Sequence, residues 1–394
     1  EVLQRELGIA VALDHEIALI VKNGVEVQGG RTLGKDFTIG DLMGKQGFRS
    51  VFVATGAQLA KKLAIDGSEG DGVLYGIPFL KDVNAGVAQA LGDKVVVIGG
   101  GNVATDVARS AKRAAKGATV SLLCLESRSE MPAHSWEIAE TIEEGVEINP
   151  SWGPRRIIRE DGRVTGVEFV KCTAVFDADR RFNPSFDENT RKVVPATTVI
   201  LAIGQNCDLS FVEPDIATKR GVIEVDRLTL QTTRKGVFAG GDNVLGPASL
   251  VQAVEQGHRA AESIHRYLRG ADMTVDREPV VRPTELADIP QNVCRTPAPR
   301  HAPKVRAPAE RTGSFVEIEA GYSVDEAVAE AKRCLNCGGC CECFECVRVC
   351  KAHAVNHLMK PETLDLEVGA VVLTGGYEPY DASGKSEFGF GRMP

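Results

Sequence analysis

The chain has 394 residues, 43% of them hydrophobic, enough to bury the cores of roughly two to three domains. Its net charge of −8 comes from mixed charges without a basic block, which excludes nucleic acid as an expected partner. The sequence contains no long apolar run and no signal-peptide pattern, so we expect no membrane span and a cytoplasmic location. It begins with Glu1 rather than Met, which is typical of a piece of a longer polypeptide.

The first part of the chain has the pattern of a parallel sheet. Residues 48–56 (FRSVFVATG) and 94–101 (KVVVIGGG) read as buried strands that end in small residues. The apolar spacing of residues 103–118 predicts a helix, and residues 119–126 (TVSLLCLE) predict the next strand. A strand, a glycine turn, a helix and a strand in this order form a βαβ unit, which favours a parallel sheet covered by helices.

Antiparallel pairing is expected next, between residues 146 and 200. Asp161-Gly162 suits the tight turn of a hairpin there. Two further buried strands and a long helix that stops at Gly270 are predicted over residues 197–205, 236–242 and 248–270.

The last third of the chain changes character. Prolines are frequent between residues 271 and 312, which predicts a linker or a strap over the surface. Residues 323–333 predict a helix in which Ser323 and Glu326 form a capping box, and this helix leads directly into a cysteine-rich segment. A final strand and glycine turn are predicted over residues 367–379.

The turn at Gly99-Gly100-Gly101 has the G-x-G-x-x-A pattern of a dinucleotide site. Glycines between a strand and a helix let the N–H groups of the turn, including Asn102 and Val103, approach a pyrophosphate. Glu126 ends the next strand, where a carboxylate can bind the adenosine ribose hydroxyls. The alternative is a tight turn that binds nothing.

A second glycine turn carries Gly241 and Asp242. Asp242 follows a buried strand and could hold the ribitol or pyrophosphate end of FAD, while the backbone of Ala248, Ser249 and Leu250 could contact the flavin. The alternative is an aspartate that only caps the following helix.

Five motifs, in the same order, resemble the small NAD(P)H-oxidising subunit of glutamate synthase and related two-dinucleotide flavoproteins. The resemblance covers about residues 1–270, and the motifs are VFVATGA, VVVIGGGNVATDVARSAKR, EMPAHSWEI, VILAIGQN and GVFAGGDNVLGPASL. It implies an α/β fold in which an FAD domain contains an inserted Rossmann-like NAD(P)H domain. It also implies that Thr55, Gly56 and Gly204 lie at the crossovers between the two. The family's first FAD fingerprint is absent from this sequence.

This resemblance gives the domain assignment for residues 1–270, and the later residues are assigned from their prolines, their cysteines and a second resemblance. We expect an FAD domain formed by residues 1–90 and 206–270, with the NAD(P)H domain inserted at residues 91–205. A proline-rich linker is expected at residues 271–322, an iron–sulfur segment at 323–360 and the start of a further flavoprotein-like module at 361–394.

Seven cysteines lie between residues 334 and 350, and four of them have the C-x2-C-x2-C-x3-C spacing of a 4Fe–4S ligand set. Zinc and disulfides are the alternatives, disfavoured because zinc sites seldom need seven thiolates and cytosolic disulfides are rare. The spacing leaves open which four ligate one cluster. The four spaced cysteines are Cys340, Cys343, Cys346 and Cys350, and the remaining three are Cys334, Cys337 and Cys341.

The residues after the cysteines, VGAVVLTGGYEP and onward, resemble the FAD-containing A subunit of heterodisulfide reductase. This implies a fused redox module, and the alternative is a strand that packs on the iron–sulfur segment. Four other cysteines are isolated and are expected to be small buried residues rather than a redox pair: Cys124, Cys172, Cys207 and Cys294.

The sequence therefore predicts an oxidoreductase that passes electrons from NAD(P)H through FAD to iron–sulfur clusters and on to a redox partner. No catalytic acid–base residues are predicted, because hydride transfer to flavin depends on orientation. Leu125 and Glu126 occupy the positions where NADPH-using relatives carry two arginines, so NADH is favoured, although Arg128 lies close by. The alternatives are the glutamate synthase small subunit itself and a non-catalytic iron–sulfur scaffold.

Overall fold

A computed structural model describes residues 17–87, 90–275, 277 and 299–333, together with residues 350, 352, 354–356, 359, 363, 365–374 and 376. The chain divides into two compact units, Glu1–Arg333 and Cys334–Pro394. Among the described residues, no helix is both long enough and apolar enough to cross a membrane.

All of the named helices and strands lie in the first unit. The strands are β1 (Val51–Val53), β2 (Leu59–Ala60), β3 (Val73–Tyr75), β4 (Lys94–Ile98), β5 (Thr119–Leu123), β6 (Glu147–Asn149), β7 (Trp152–Glu160), β8 (Arg163–Phe176), β9 (Phe182–Pro195), β10 (Thr198–Leu201), β11 (Gln205–Asn206), β12 (Thr218–Lys219), β13 (Val222–Ile223) and β14 (Val237–Ala239). The helices are α1 (Ile39–Gly44), α2 (Gly76–Asn84), α3 (Asn102–Ala114), α4 (Ser135–Glu143), α5 (Asp242–Leu245), α6 (Leu250–Leu268), α7 (Pro308–Gly313) and α8 (Val324–Lys332).

A five-stranded parallel sheet forms the centre, in the order β3-β10-β4-β5-β6. Alternate residues of β4 point to opposite faces, as the strand period requires. Val95 and Val97 pack in one core with Val107 of α3, whereas Val96 and Ile98 pack in a second core. Burial on both faces explains the continuous apolar runs that predicted this sheet.

The opposite face of the central sheet is covered by an antiparallel sheet of order β7-β8-β9. Ile157 and Phe169 of that sheet lie in the same core as Val96. Asp161 and Gly162 have φ values of +48° and +77°, the left-handed pair that a two-residue hairpin turn requires. The predicted hairpin is therefore confirmed.

A smaller region combines segments that are far apart in the sequence. Strands β1 and β14 pair in parallel, with Val51 opposite Val237. Their core includes Ile39, Phe211 and Ile223. A short antiparallel ribbon of β2 and β11 lies on the chain segments that connect this region to the central sheet.

Helix α6 begins and ends where the sequence indicates. Ser249 and Gln252 form a capping box at its start, and Gly270, with φ +68°, follows its end. Its S-x-x-Q pattern is a variant of the S-x-x-E pattern that predicts a capping box at Ser323 and Glu326. That second capping box is confirmed at the start of α8.

Residues 299–322, which we call the strap, pack against helices α3 and α4 and lie inside the range predicted as a linker or a strap over the surface. Arg311 of α7 is 2% exposed, and its Nη2 lies 2.6 Å from Glu143 Oε2. Its Nη1 lies 3.7 Å from Glu144 Oε1, a carboxylate that also pairs with Arg109 and Arg113. A buried ion cluster thus fixes the strap to α3 and α4.

The strand predicted over residues 367–379 is wrong for the residues that the structure describes there. Residues 367–374 have no strand assignment, and Val371, Val372 and Leu373 are 72%, 82% and 92% exposed. A strand needs a neighbour for its N–H and C=O groups, and an apolar run alone does not supply one.

Candidate nucleotide and flavin sites

The glycine turn after β4 has a backbone that only glycine can adopt at its first position. Gly99 has a φ of +147°, and a Cβ atom there would lie 2.2 Å from the carbonyl oxygen of Ala202. Its N–H donates to the carbonyl of Leu123 at 2.9 Å. Gly99 therefore allows the chain to turn from β4 to α3 while its backbone lies against Ala202, the residue that follows β10.

The same turn leaves hydrogen-bond donors at the start of α3. Gly101 is the N-cap residue and supplies no side-chain acceptor. In the described part of the chain, the N–H groups of Asn102 and Val103 have no acceptor. A Cβ atom on Gly101 would lie 3.9 Å from the nearest atom, on Pro132, so space is open in front of it. Free N–H groups, the positive helix end and open space together suit an anionic group.

Glu126 lies directly beside this turn. A Cβ atom on Gly100 would lie only 2.6 Å from Glu126 Oε2, so the carboxylate occupies the space that a side chain there would need. The carbonyl of Glu126 accepts from Ser151 N at 2.8 Å, which fixes the backbone. Arg128 is exposed, and its Nη1 lies 4.0 Å from Met131 Sδ.

Thr55 and Gly56 are hydrogen-bonded to Asn243, a residue for which the sequence predicts no role. Asn243 is completely buried, and its Oδ1 accepts from Thr55 Oγ1 at 3.1 Å and from Gly56 N at 2.9 Å. Gly204 is exposed, and its carbonyl accepts from Lys61 N at 3.0 Å. The signal for Asn243 was its place directly after Gly-Gly-Asp, where an amide can connect two backbone segments.

Several polar groups of the second glycine turn are bonded within the chain, whereas Asp242 N and Asn243 N have no acceptor among the described residues. Gly241 N donates to Gln256 Oε1 at 2.7 Å, and Ala248 N donates to Asp242 Oδ1 at 3.2 Å. Ser249 N donates to Gln252 Oε1 at 3.1 Å. The Asp242 carboxylate thus closes the loop before α6, and these contacts leave fewer free donors than the first turn has.

An exposed apolar surface lies at the start of α6, next to the second turn. Its side chains are between 42% and 81% exposed, unusual for residues of this size. They are Leu245, Leu250, Val251 and Val254. A flat, largely apolar ligand would cover such a surface.

Six of the seven clustered cysteines lie outside the described residues, namely Cys334, Cys337, Cys340, Cys341, Cys343 and Cys346. The seventh, Cys350, accepts a hydrogen bond from Ala354 N at 3.3 Å. Hydrogen bonds of this kind, from backbone N–H groups to a ligand sulfur, change the reduction potential of an iron–sulfur cluster. The ligand assignment stays a prediction.

Three of the isolated cysteines are buried, as expected: Cys124, Cys172 and Cys207. Burial, with a smaller contribution from Glu126, raises the pKa of Cys124 to about 12. Burial also raises the pKa values of Cys172 and Cys207. A neutral buried thiol is a poor nucleophile, which agrees with the prediction that these residues are not a redox pair. Cys294 lies outside the described residues.

Residues 2–257, well over half of the chain, match the family described as pyridine nucleotide-disulphide oxidoreductase. The chain belongs to this family. Membership confirms the predicted two-dinucleotide α/β fold class and the prediction of a pyridine-nucleotide oxidoreductase.

Several curated relatives extend the similarity beyond the family domain. The chain is 38% identical over 339 residues to the NADP(+)-dependent formate dehydrogenase subunit beta of Moorella thermoacetica, covering 82% of this chain and 46% of that protein. It is 34% identical over 361 residues to the NADPH-Fe(3+) oxidoreductase subunit beta of Geobacter sulfurreducens, covering 82% and 53%. A glutamate synthase [NADPH] small chain of Azospirillum brasilense is 33% identical over 276 residues, covering 65% and 56%.

The chain spans about half the length of the curated relatives it matches. Among solved structures, FprA of Mycobacterium tuberculosis in complex with NADPH is similar at 17% identity and a TM-score of 0.51, covering 63% of this chain and 69% of that one. At this identity the likeness supports the fold alone. The glutamate synthase resemblance is confirmed, whereas the heterodisulfide reductase resemblance of the last residues stays a prediction.

Proposed function

We propose that this chain is the NAD(P)H-oxidising part of a larger FAD and iron–sulfur oxidoreductase. The observation that carries the proposal is the open turn at Gly101, where the N–H groups of Asn102 and Val103 have no acceptor among the described residues. These groups would bind the pyrophosphate of the nicotinamide nucleotide, and Glu126 would accept hydrogen bonds from the adenosine ribose.

The residues around the second turn fit a flavin in a different way. Asp242 offers a carboxylate at the end of β14, and the exposed apolar surface at Leu250 and Val251 would lie against the ring. A flavin bound there would supply the chemistry that accepts one hydride, with its two electrons, from the nicotinamide and releases those electrons one at a time. The role of the chain is to hold the two ligands in a fixed orientation, with the Asn243 contacts to Thr55 and Gly56 joining the connecting segments.

The cysteine segment is proposed to hold at least one 4Fe–4S cluster that receives these electrons. The support is the sulfur spacing from Cys340 to Cys350, together with relatives whose names describe subunits of electron-transferring enzymes. The partner would then be another redox subunit or a fused redox module, and the heterodisulfide-reductase-like tail is one candidate for it.

We also propose a preference for NADH, although the relatives above are named for NADP(+) or NADPH. A carboxylate at the ribose end accepts bonds from free hydroxyls and repels a 2′-phosphate. Glu126 lies against Gly100, whereas Arg128, the residue that could bind a phosphate, is exposed two positions further on.

The proposal is tested by anaerobic titration of the full-length protein with NADH and with NADPH. Absorbance counts the flavin that is reduced, and electron paramagnetic resonance counts the clusters. Reduction of both supports the complete route. Iron without flavin would favour the non-catalytic scaffold. A protein that contains neither flavin nor iron would overturn the proposal.

Two cysteine variants give this titration a matched control. Cys343→Ser removes a sulfur with a partner three residues away on either side, so we expect loss of one cluster with flavin reduction retained. Cys172→Ser changes a buried thiol in β8 and should leave the iron content unchanged. Equal iron in both variants would contradict the ligand assignment.

A further inference from the structure

Two aromatic side chains at the start of α4 form an exposed stack. The rings of His134 and Trp136 are 4.2 Å apart between centroids and only 8° from parallel. Trp136 is 60% exposed, and His134 is exposed as well. Large aromatic side chains contribute most when they are covered, so an exposed stack of this kind is a candidate surface for a flat ligand.

Packing and capping do not explain the pair. Ala133 and Ile138 of the same segment are buried in the core that includes Val107 of α3, whereas His134 and Trp136 face outward. His134 is the N-cap residue of α4, but its imidazole does not cap the helix. Neither side chain is therefore needed for the start of α4.

The backbone beneath the pair is joined to the glycine turn. Ala133 N donates to the carbonyl of Gly100 at 3.1 Å, and His134 N donates to Asn102 Oδ1 at 2.9 Å. One residue after Trp136, Glu137 Oε2 accepts from Thr105 Oγ1 of α3 at 3.2 Å. The stack is thus fixed relative to the donors that would bind a pyrophosphate.

The position of the stack assigns it to one half of the nucleotide. In a Rossmann-like βαβ unit the adenosine lies over the carboxyl end of the second strand, which is β5 here. The segment from Glu126 to His134 leaves that end of β5 and returns to the turn. The ring that a dinucleotide presents on this side is the purine.

We propose that His134 and Trp136 form the stacking surface for the adenine ring of the nicotinamide nucleotide. The inference rests on the proposed function, since it places a second contact on the same ligand. Stacking on an aromatic side chain is tolerant of substitution on the sugar, so the pair would contribute equally to NADH and NADPH. Glu126 and Arg128 would then decide between the two.

The test is equilibrium binding of nucleotide fragments to the full-length protein. ADP-ribose and 2′,5′-ADP carry the adenine, whereas nicotinamide mononucleotide does not. We expect Trp136→Ala to raise the Kd for both adenine fragments about tenfold, with no change for nicotinamide mononucleotide. Trp136→Phe should retain most of the affinity, because it keeps an aromatic face.

Trp152 supplies the control, as it is the other of the two tryptophans in this chain. It lies beneath Lys192 and Lys171, at 4.5 and 5.0 Å from its ring, and Trp152→Phe should leave the affinity for adenine fragments unchanged. In that background, quenching of Trp136 fluorescence by ADP-ribose reports the contact directly.

The outcomes separate the two proposals. If the wild-type protein binds neither ADP-ribose nor NAD(P)H, both are overturned. If it binds ADP-ribose and Trp136→Ala binds it equally well, only the stacking surface is overturned. An equal loss for nicotinamide mononucleotide in Trp136→Ala would also overturn it, because the effect would not be specific to adenine.

Discussion

The two glycine turns of this chain look alike in sequence and differ in structure. Each follows a buried strand and opens a helix, at Gly99-Gly100-Gly101 and at Gly240-Gly241-Asp242. At the first turn, a thirteen-residue helix starts with N–H groups that have no acceptor among the described residues. At the second, a four-residue helix follows, and Gly241 N and Ala248 N are bonded to side chains, so that only Asp242 N and Asn243 N are left without an acceptor among the described residues of the turn.

The difference comes from the residues around each turn rather than from the glycines. Gln256 and Asp242 supply acceptors at the second turn, and Asn243 ties it to Thr55 and Gly56. At the first turn, Gly101 supplies none. Donors that are already bonded fix the fold, whereas free donors can bind an anion, and the first turn has more of the free kind.

The largest effect is expected at Gly99. Gly99→Ala would place a methyl group 2.2 Å from the Ala202 carbonyl oxygen in a backbone with φ +147°, so strand β4 or β10 must move. We expect the free energy of unfolding to fall by at least about 3 kcal/mol. Chemical denaturation of the full-length protein, followed by circular dichroism, measures it.

Gly101→Ala is the matched control for this substitution. Space is open at Gly101, with the nearest atom 3.9 Å away, and φ is −93°. Stability should change by less than about 1 kcal/mol, whereas affinity for ADP-ribose should fall because the methyl group enters the open space. Similar stability losses in the two variants would contradict the view that the fold requires a glycine at position 99 but not at position 101.

The next largest effect is expected at Asn243, which connects the second turn to Thr55 and Gly56. Asn243→Ala removes a completely buried amide and leaves Thr55 Oγ1, which belongs to an exposed residue, and the half-buried Gly56 N without their acceptor. We expect a loss of about 2 to 3 kcal/mol in the free energy of unfolding. Asn206→Ala changes an exposed asparagine of β11 and should cost little. Equal losses of unfolding free energy in the two variants would show that the hydrogen bonds of Asn243 stabilise the fold less than their geometry indicates.

Local signals were sufficient for much of the fold. The hairpin at Asp161-Gly162, the end of α6 before Gly270 and the capping box at Ser323 each follow from a few neighbouring residues. Their physical causes, a left-handed backbone and satisfied helix ends, act over a few positions in the sequence. Such features can be read without the rest of the chain.

Contacts between distant segments could not be predicted in this way. Asn243 meets Thr55 across 188 positions, and Arg311 meets Glu143 across 168. Nothing in the proline-rich stretch indicates that an arginine within it will be buried among carboxylates. The strand predicted near Val371 failed for the related reason that its pairing partner had to be assumed.

The preference between NADH and NADPH tests the role of Glu126 beside the first turn. With Glu126 beside Gly100, we expect kcat/KM to be higher for NADH than for NADPH by roughly 30- to 150-fold, or about 2 to 3 kcal/mol. Glu126→Gln should reduce this ratio by removing the repulsion of the 2′-phosphate. Glu130→Gln, in the same loop but bonded to Ser127, should not. Equal or better use of NADPH by the wild-type protein would falsify the preference.

The smallest effect on stability, and the most direct test of the second turn, is expected for Asp242→Ala. The carboxylate accepts one bond, from Ala248 N in an exposed loop, so its loss should cost only about 1 kcal/mol. If Asp242 also binds FAD, the fraction of flavin retained by the full-length protein should fall much further than stability does. Asp226→Ala is the control, since Asp226 Oδ1 accepts three bonds, from Leu228 N, Thr229 N and Thr229 Oγ1, so this variant should lose at least as much stability and still keep its flavin. Full flavin occupancy in Asp242→Ala would mean that the carboxylate serves only to close its own loop, and the second turn would then differ from the first in function.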